Sequence, residues 1–218
     1  MEGRADQSTS PDGDRCALVL LGLRLTSFAP TERVASVVGL SVEEAAPHLD
    51  AALDAGWARH REGRLSGWVL TAAGRAEGER LLAEELDRVG ARDEVHRGYR
   101  RFLALNGRCL QVCTDWQLRA DGDDQVVNDH TDADYDAAVI DRLATLHDEI
   151  RPVLGELAAA LPRFGTYVPR FSSARARVEA GEHEWFTRPD LDSFHTVWFE
   201  LHEHLLATLG IDRATEAG

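Results

Sequence analysis

Apolar residues recur at a helical period through most of this chain, and the places where the period breaks divide it into segments. Residues 1–14 are nearly free of apolar side chains and contain Gly3, Ser8, Ser10, Pro11 and Gly13, so a disordered tail is expected there. The apolar run Cys16 to Leu25 predicts a first helix, and Ser27-Phe28-Ala29-Pro30 stops it, because proline disfavours helix at the residue before it. Thr31 to Val38 predicts a short second helix with Val34, Val37 and Val38 on one side and Gly39 just past its end. Ser41 is a good N-cap for a third, with Glu43 and Glu44 in its first turn and Val42, Ala45, Ala46, Leu49, Ala52 and Leu53 at helical spacing. Asp54-Ala55-Gly56 closes that helix. Trp57 to Thr71 then switches to a strand–turn–strand pattern around Glu62-Gly63-Arg64, and Thr71 caps a helix over Ala72 to Val89.

Beyond Gly90 the helical period continues. Tyr99, Phe102, Asn106, Cys109, Cys113 and Trp116 follow a 3-4-3-4-3 spacing and form one seam of a helix over about Asp93 to Leu118. Ala120 to Asp136 is polar and acidic and predicts a loop. Tyr135 to Leu161 predicts a long helix, which Pro152 should kink or split. Pro162 to Pro169 is a break, Arg170 to Ala180 a further helix, Gly181 a turn, and the segment through Phe186 a short helix. Asp192 or Ser193 would cap a last helix reaching Leu209, with Phe194, Val197, Trp198, Leu201 and Leu205 in one stripe. The expected class is mainly α: residues 15–90 hold three helices, a hairpin and a helix, and residues 91–218 an all-α helical bundle.

Helix, helix, helix, hairpin, helix is the order of a winged helix-turn-helix, and the joints carry a more particular signal. Leu53, Gly56 and Trp57 leave the third helix, Arg59, Arg61 and Arg64 line the hairpin, and Leu70, Thr71, Gly74 and Arg75 open the next helix. Over residues 15–90 this resembles the winged-helix domain of the MarR-like bacterial regulators. The resemblance implies a DNA-binding transcriptional regulator, usually a homodimer, with the helix after Ser41 in the major groove and the wing on adjacent phosphates. Arg33, Ser41, His48, Arg59, Arg61 and Arg64 are the residues placed to contact double-stranded DNA. Guanidinium groups suit phosphate, and alternation puts Arg59 and Arg61 on one face of the hairpin with Ala58 and His60 on the other. The third helix itself offers Ser41, Glu43, Glu44, Pro47, His48 and Asp50 and no arginine. A second reading therefore stays open, in which a degenerate winged helix serves dimerisation or docks a partner protein.

Charge sharpens the division. The chain has 218 residues and a net charge of −14, and all 24 of its basic residues are arginine. Residues 15–90 carry nine arginines against eleven acids, whereas residues 91–218 carry fourteen against twenty-three. An indiscriminate nucleic-acid binder is excluded, and a local basic hairpin on a near-neutral module is what remains. Three cysteines are too few for a disulfide scaffold, the start lacks a signal-peptide pattern, and Cys16 to Leu25 is too short to span a bilayer. A cytoplasmic protein without membrane contact is expected.

The second half would hold the sensing or dimerisation function. Asn106, Cys109, Cys113 and Trp116 on one helix, with His195, Trp198, Phe199 and His202 on another, have the aromatic-plus-polar character of a small-molecule effector site. Cys109 and Cys113 with His195 and His202 supply the donor types of a tetrahedral zinc site, although the two pairs sit on distant segments and buried cysteines are often plain hydrophobes. No cofactor is called for. The acidic loop lacks the order of a calcium loop, and there is no Gly-rich phosphate loop, nucleophile elbow or H-E-x-x-H pattern, so no enzymatic activity is expected.

Overall fold

An apolar helix accounts for the first half of the architecture. In the computed structural model, which describes residues 11–121 and 124–215, α1 (Pro11–Thr26) carries Val19, Leu20, Leu21 and Leu23 fully buried on different sides. A helix apolar all round must be covered all round. One side of α1 packs with α2 (Thr31–Val38), α3 (Val42–Asp54) and a hairpin, through Val34, Ala45, Leu49, Ala52, Ala58 and Trp68. Its other side meets Val37, Val38, Leu82 and Ala207. Because α1 starts at Pro11, residues 11–14 are helical where the sequence predicted tail; the rest of that segment lies outside the described residues.

The joints form as local chemistry dictates. Gly39 ends α2 at φ 74°, and the following N–H groups return to the Ser36 and Ala35 carbonyls. Ser41 and Glu44 make a reciprocal capping box at the start of α3, with hydrogen bonds of 3.2 and 3.0 Å. Strands β1 (Ala58–Arg61) and β2 (Gly67–Leu70) pair antiparallel, with Ala58 opposite Leu70 and His60 opposite Trp68. Ala29 adds a bridge to Trp68, so the link between α1 and α2 lies along the hairpin. Thr71 starts α4 (Ala72–Val89): its hydroxyl faces the Gly56 and Trp57 carbonyls at 2.8 and 3.0 Å and accepts from the Gly74 N–H at 3.0 Å.

The chain divides into two compact units between Gly90 and Ala91. Residues 206–215 group with the first unit, not with the second as the sequence reading placed them. The physical reason is Ala207, which the apolar face made by Ala17, Leu21, Leu25 and Leu82 draws in.

The second unit is built on α5 (Arg92–Gln117) and α6 (Ala133–Ala160), followed by α7 (Tyr167–Glu179) and α8 (Phe194–Leu209) as far as Leu205. Its core combines Phe102, Cys109 and Val112 with Val139, Leu143, Ile150, Leu154, Phe164, Phe171, Phe194 and Leu201. It is not all-α. Where a loop was expected, β3 (Leu118–Asp121) and β4 (Asp124–Val127) form a second hairpin directly off α5. Asp132 then caps α6, accepting from the Tyr135 N–H at 3.0 Å. Pro152 does not split α6: its ring sits on the exposed side while Val153 and Leu154 beside it are buried. Pro169 falls in the first turn of α7, where its missing N–H has no partner to lose, so that helix begins before Arg170. Among the described residues no helix is long and apolar enough to cross a membrane.

Two glycines on these helices should respond oppositely to alanine. A Cβ at Gly74 would lie 2.0 Å from the Trp57 carbonyl oxygen, so Gly74→Ala should cost about 1–3 kcal/mol or more by overpacking. A Cβ at Gly155, inside α6, meets nothing within 4 Å, and Gly155→Ala should add about 0.5–1 kcal/mol by removing backbone freedom from the unfolded chain. Urea unfolding of both variants, followed by circular dichroism, reads the two signs.

Candidate functional site

The hairpin of the first unit has two unlike faces. Ala58 is 1% exposed, and the His60 ring lies 4.5 Å from the Trp68 ring while its Nε2 meets the Ser66 hydroxyl at 3.3 Å. These residues fasten the hairpin down. Trp68 is held in turn by its indole N–H, which donates to Thr31 Oγ1 at 3.0 Å, and by its backbone bridge to Ala29. Arg59 and Arg61 alternate with the fastened residues and are exposed, as is Arg64 at the turn, next to Gly63 at φ 139° and a Leu65 that is 77% exposed. Among the described residues Arg59, Arg61 and Arg64 make no ion pair, while Arg15, Arg24, Arg75, Arg80 and Arg88 of the same unit are all paired with acids. Three uncompensated cations on one anchored hairpin have the chemistry to pair with anions.

The neighbouring helix α3 presents a different chemistry. Ala45, Leu49 and Ala52 point inward, which leaves Glu43, Pro47, Asp50 and Asp54 on the exposed face. The Ser41 hydroxyl oxygen is occupied as the helix cap. Glu44 turns back to the Ser41 N–H and to Arg15, and these two donors hold its carboxyl below the usual range, the backbone N–H foremost. His48 is half-buried on α3 and Arg33 half-buried on α2. Of the six residues assigned to DNA from sequence, Arg59 and Arg61 share one face of the hairpin, Arg64 stands at its turn, Ser41 and His48 lie at the cap and within α3, and Arg33 lies on α2.

In the second unit the residues assigned to an effector separate into groups. The Trp198 indole N–H donates to Asn106 Oδ1 at 2.9 Å, and Phe102 lies 5.0 Å from both the Trp198 and the His202 rings. Cys109 is fully buried, and burial, then the neighbouring Cys113 thiol, pushes its own thiol well above the ordinary range, as befits an inert core residue. His195 is half-buried at the start of α8, and Phe199 turns outward at 43% exposure. Trp116 belongs elsewhere, stacked on Phe186 at 4.4 Å with His130 4.4 Å away and His183 5.1 Å away. The zinc set weighed from sequence, Cys109, Cys113, His195 and His202, does not assemble. Among the described residues the one group of metal-ligating side chains within reach of a common point is His130, Asp136 and His183. None of these three was singled out from sequence. The string Asn128-Asp129-His130 and the first-turn Asp136 were visible in the acidic stretch, but His183 is far along the chain and only the fold brings it near.

A buried polar network links α7 to α8. Arg170 makes a two-pronged pair with Asp192 at 2.9 and 3.0 Å and a further hydrogen bond to Glu200. Arg163 Nε donates to His204 Nε2 at 3.0 Å, which fixes the tautomer: Nδ1 carries the proton toward the Tyr167 hydroxyl, 3.1 Å away. Phe164 stacks on the same imidazole at 4.1 Å. Burial, with Arg163 and Arg170 behind it, keeps His204 neutral, well below the ordinary histidine value.

No protein-family model, no curated protein and no solved structure matches the chain.

The buried histidines give a pH dependence of defined sign. His147, His195 and His204 all lie below the ordinary value of 6.5, each chiefly because of burial. As the pH falls under that value the unfolded chain takes up these protons before the folded one does, so stability is complete above it and is lost toward the lower folded-state values. The thermal midpoint should fall between about pH 7 and about pH 5, with His204 contributing up to about 1.4 kcal/mol per pH unit. His204→Gln, which cannot titrate, should start less stable and lose less across that interval. An unchanged slope would remove His204 from the account.

Proposed function

We propose that the chain is a DNA-binding regulator whose first unit engages double-stranded DNA through the β1–β2 hairpin. The observation that carries this reading is the set Arg59, Arg61 and Arg64, exposed and without ion pairs among the described residues on a hairpin fastened by Trp68. Guanidinium groups so placed suit phosphate oxygens, and phosphate contacts supply most of the affinity of DNA-binding modules. The order of elements supports it: α1, the short α2, the Ser41-capped α3, the hairpin and α4 follow the plan of a winged helix-turn-helix, and the Thr71–Gly74 joint agrees with the MarR-like pattern. In such a module α3 would lie in the major groove and the hairpin on the flanking backbone. The second unit would then supply sensing or dimerisation, and a homodimer would match a palindromic site.

A second reading is favoured by α3 itself. Glu43, Asp50 and Asp54 on its exposed face would meet a polyanion with like charge. That face suits a basic surface on a partner protein, with the winged helix kept as a docking module.

Binding of the purified chain to fragments of its own genome across a salt series separates the two. Under the DNA reading, Arg59→Ala with Arg64→Ala should weaken binding and flatten the log–log salt dependence by about 0.9 for each lost phosphate contact, about 2 in all. Glu43→Gln with Asp50→Asn should tighten non-specific binding. Unchanged affinity in the double arginine variant would favour the docking reading.

A further inference from the structure

The cluster around Trp116 has a composition that packing alone does not require. The Asp136 carboxylate, with only 8% of its side chain exposed, stands in the first turn of α6. Its Oδ2 is 2.9 Å from His130 Nδ1, and its Oδ1 accepts from the Asn128 amide at 2.8 Å. Asn128 is itself pinned at the exit of the β3–β4 hairpin: its backbone N–H donates to the Gln117 carbonyl at 2.8 Å and its amide to the Trp116 carbonyl at 3.1 Å. His130 sits in the left-handed region at φ 58°, a conformation uncommon outside glycine, which aims its ring at the carboxylate instead of continuing the strand. His183 arrives from the other side, on a one-turn helix (His183–Trp185) that follows Gly181 at φ 88°. One donor atom each from His130, Asp136 and His183 lies within 4.8 Å of the others.

We infer that His130, Asp136 and His183 form a binding site for a divalent transition-metal ion, with zinc the best match to the donors. Two imidazoles and one carboxylate are borderline ligands that suit zinc, cobalt or nickel, whereas calcium and magnesium require oxygen-rich sets. Donors held about 2 Å from a tetrahedral ion stand roughly 3–4 Å apart, so a small rotation of the partly exposed His183 closes the set. A His130–Asp136 hydrogen bond accounts for two of the residues, and the third packs its ring edge-on to Trp116 at 5.1 Å, which uses the ring but not its nitrogens. His183 makes no side-chain hydrogen bond or ion pair among the described residues, yet it converges on the same point. Asn128 is the outer partner: by donating to Oδ1 it orients the carboxylate so that Oδ2 faces the ion. Three protein ligands leave one position of a four-coordinate ion open to water or to a small anionic or thiol ligand. The inference does not depend on DNA binding by the first unit.

The test uses the full chain after removal of metal with a chelator. Zinc is titrated calorimetrically and cobalt by its visible absorption, for the native chain and for His183→Ala, Asp136→Asn and Asn128→Ala, each checked for folding by far-ultraviolet circular dichroism. One ion per chain is expected, with cobalt bands free of thiolate charge transfer. His183→Ala and Asp136→Asn should abolish saturable binding, and Asn128→Ala should weaken it by about 10- to 100-fold. Since Asp136 is buried and its variant can fail to fold, folded His183→Ala protein is decisive by itself. No saturable binding by the native chain, one full equivalent retained by folded His183→Ala, or a cobalt spectrum dominated by thiolate charge transfer would each overturn the assignment.

Discussion

The first unit turns on one carbonyl group. The Trp57 oxygen, at the point where α3 gives way to β1, receives the Thr71 backbone N–H at 2.9 Å and shares the Thr71 hydroxyl, 3.0 Å away, with the Gly56 oxygen at 2.8 Å, and Gly74 packs so closely over it that no side chain fits. Both ends of the hairpin are thereby joined to the start of α4. The strands are only four residues each, and an isolated two-stranded ribbon of that length is marginal in water. What holds Arg59 and Arg61 on a common face is this joint together with the bridge from Ala29 and the indole bond of Trp68. The Leu-Thr-x-x-Gly pattern is thus a requirement of geometry: a cap that needs a hydroxyl, and a position that needs no Cβ.

The second unit places its polar groups by a different logic. Along α5 the seam residues Phe102, Cys109 and Cys113 are buried in the core, and Asn106 completes the indole of Trp198. At the end of the helix the seam changes character. Trp116 stacks on Phe186, and two imidazoles and a carboxylate gather beside it. Between α7 and α8, Arg170 answers both Asp192 and Glu200, so that network serves to hold the helices together.

What could be seen in the sequence was decided by local signals. Gly39, Ser41, Thr71 and Gly90 mark helix ends through side-chain and backbone chemistry that acts over three or four residues, and each stands where that chemistry puts it. The β3–β4 hairpin was not visible, because Arg119, Asp121 and Asp124 are poor strand formers and the pairing is fixed by α5 and by Asn128, not by propensity. Pro152 does not divide α6 for a related reason: burial of Val153 and Leu154 beside it outweighs the lost hydrogen bond. The candidate sites divide in the same way. The arginines of the first hairpin follow from strand alternation, whereas the cluster at Asp136 depends on His183, forty-seven residues downstream, and no periodicity links the two.

Pro47 lies on the exposed face of α3, between Glu43 and Asp50. A proline there withdraws the N–H that would otherwise reach back to the Glu43 carbonyl. The carboxylates of Glu43, Asp50 and Asp54 are likewise acceptors. This face is therefore almost purely an acceptor surface, able to receive protons in hydrogen bonds and poor at giving them. Set in a major groove, it would answer the exocyclic amino groups of cytosine and adenine and find nothing to pair with on the N7 and O6 of guanine.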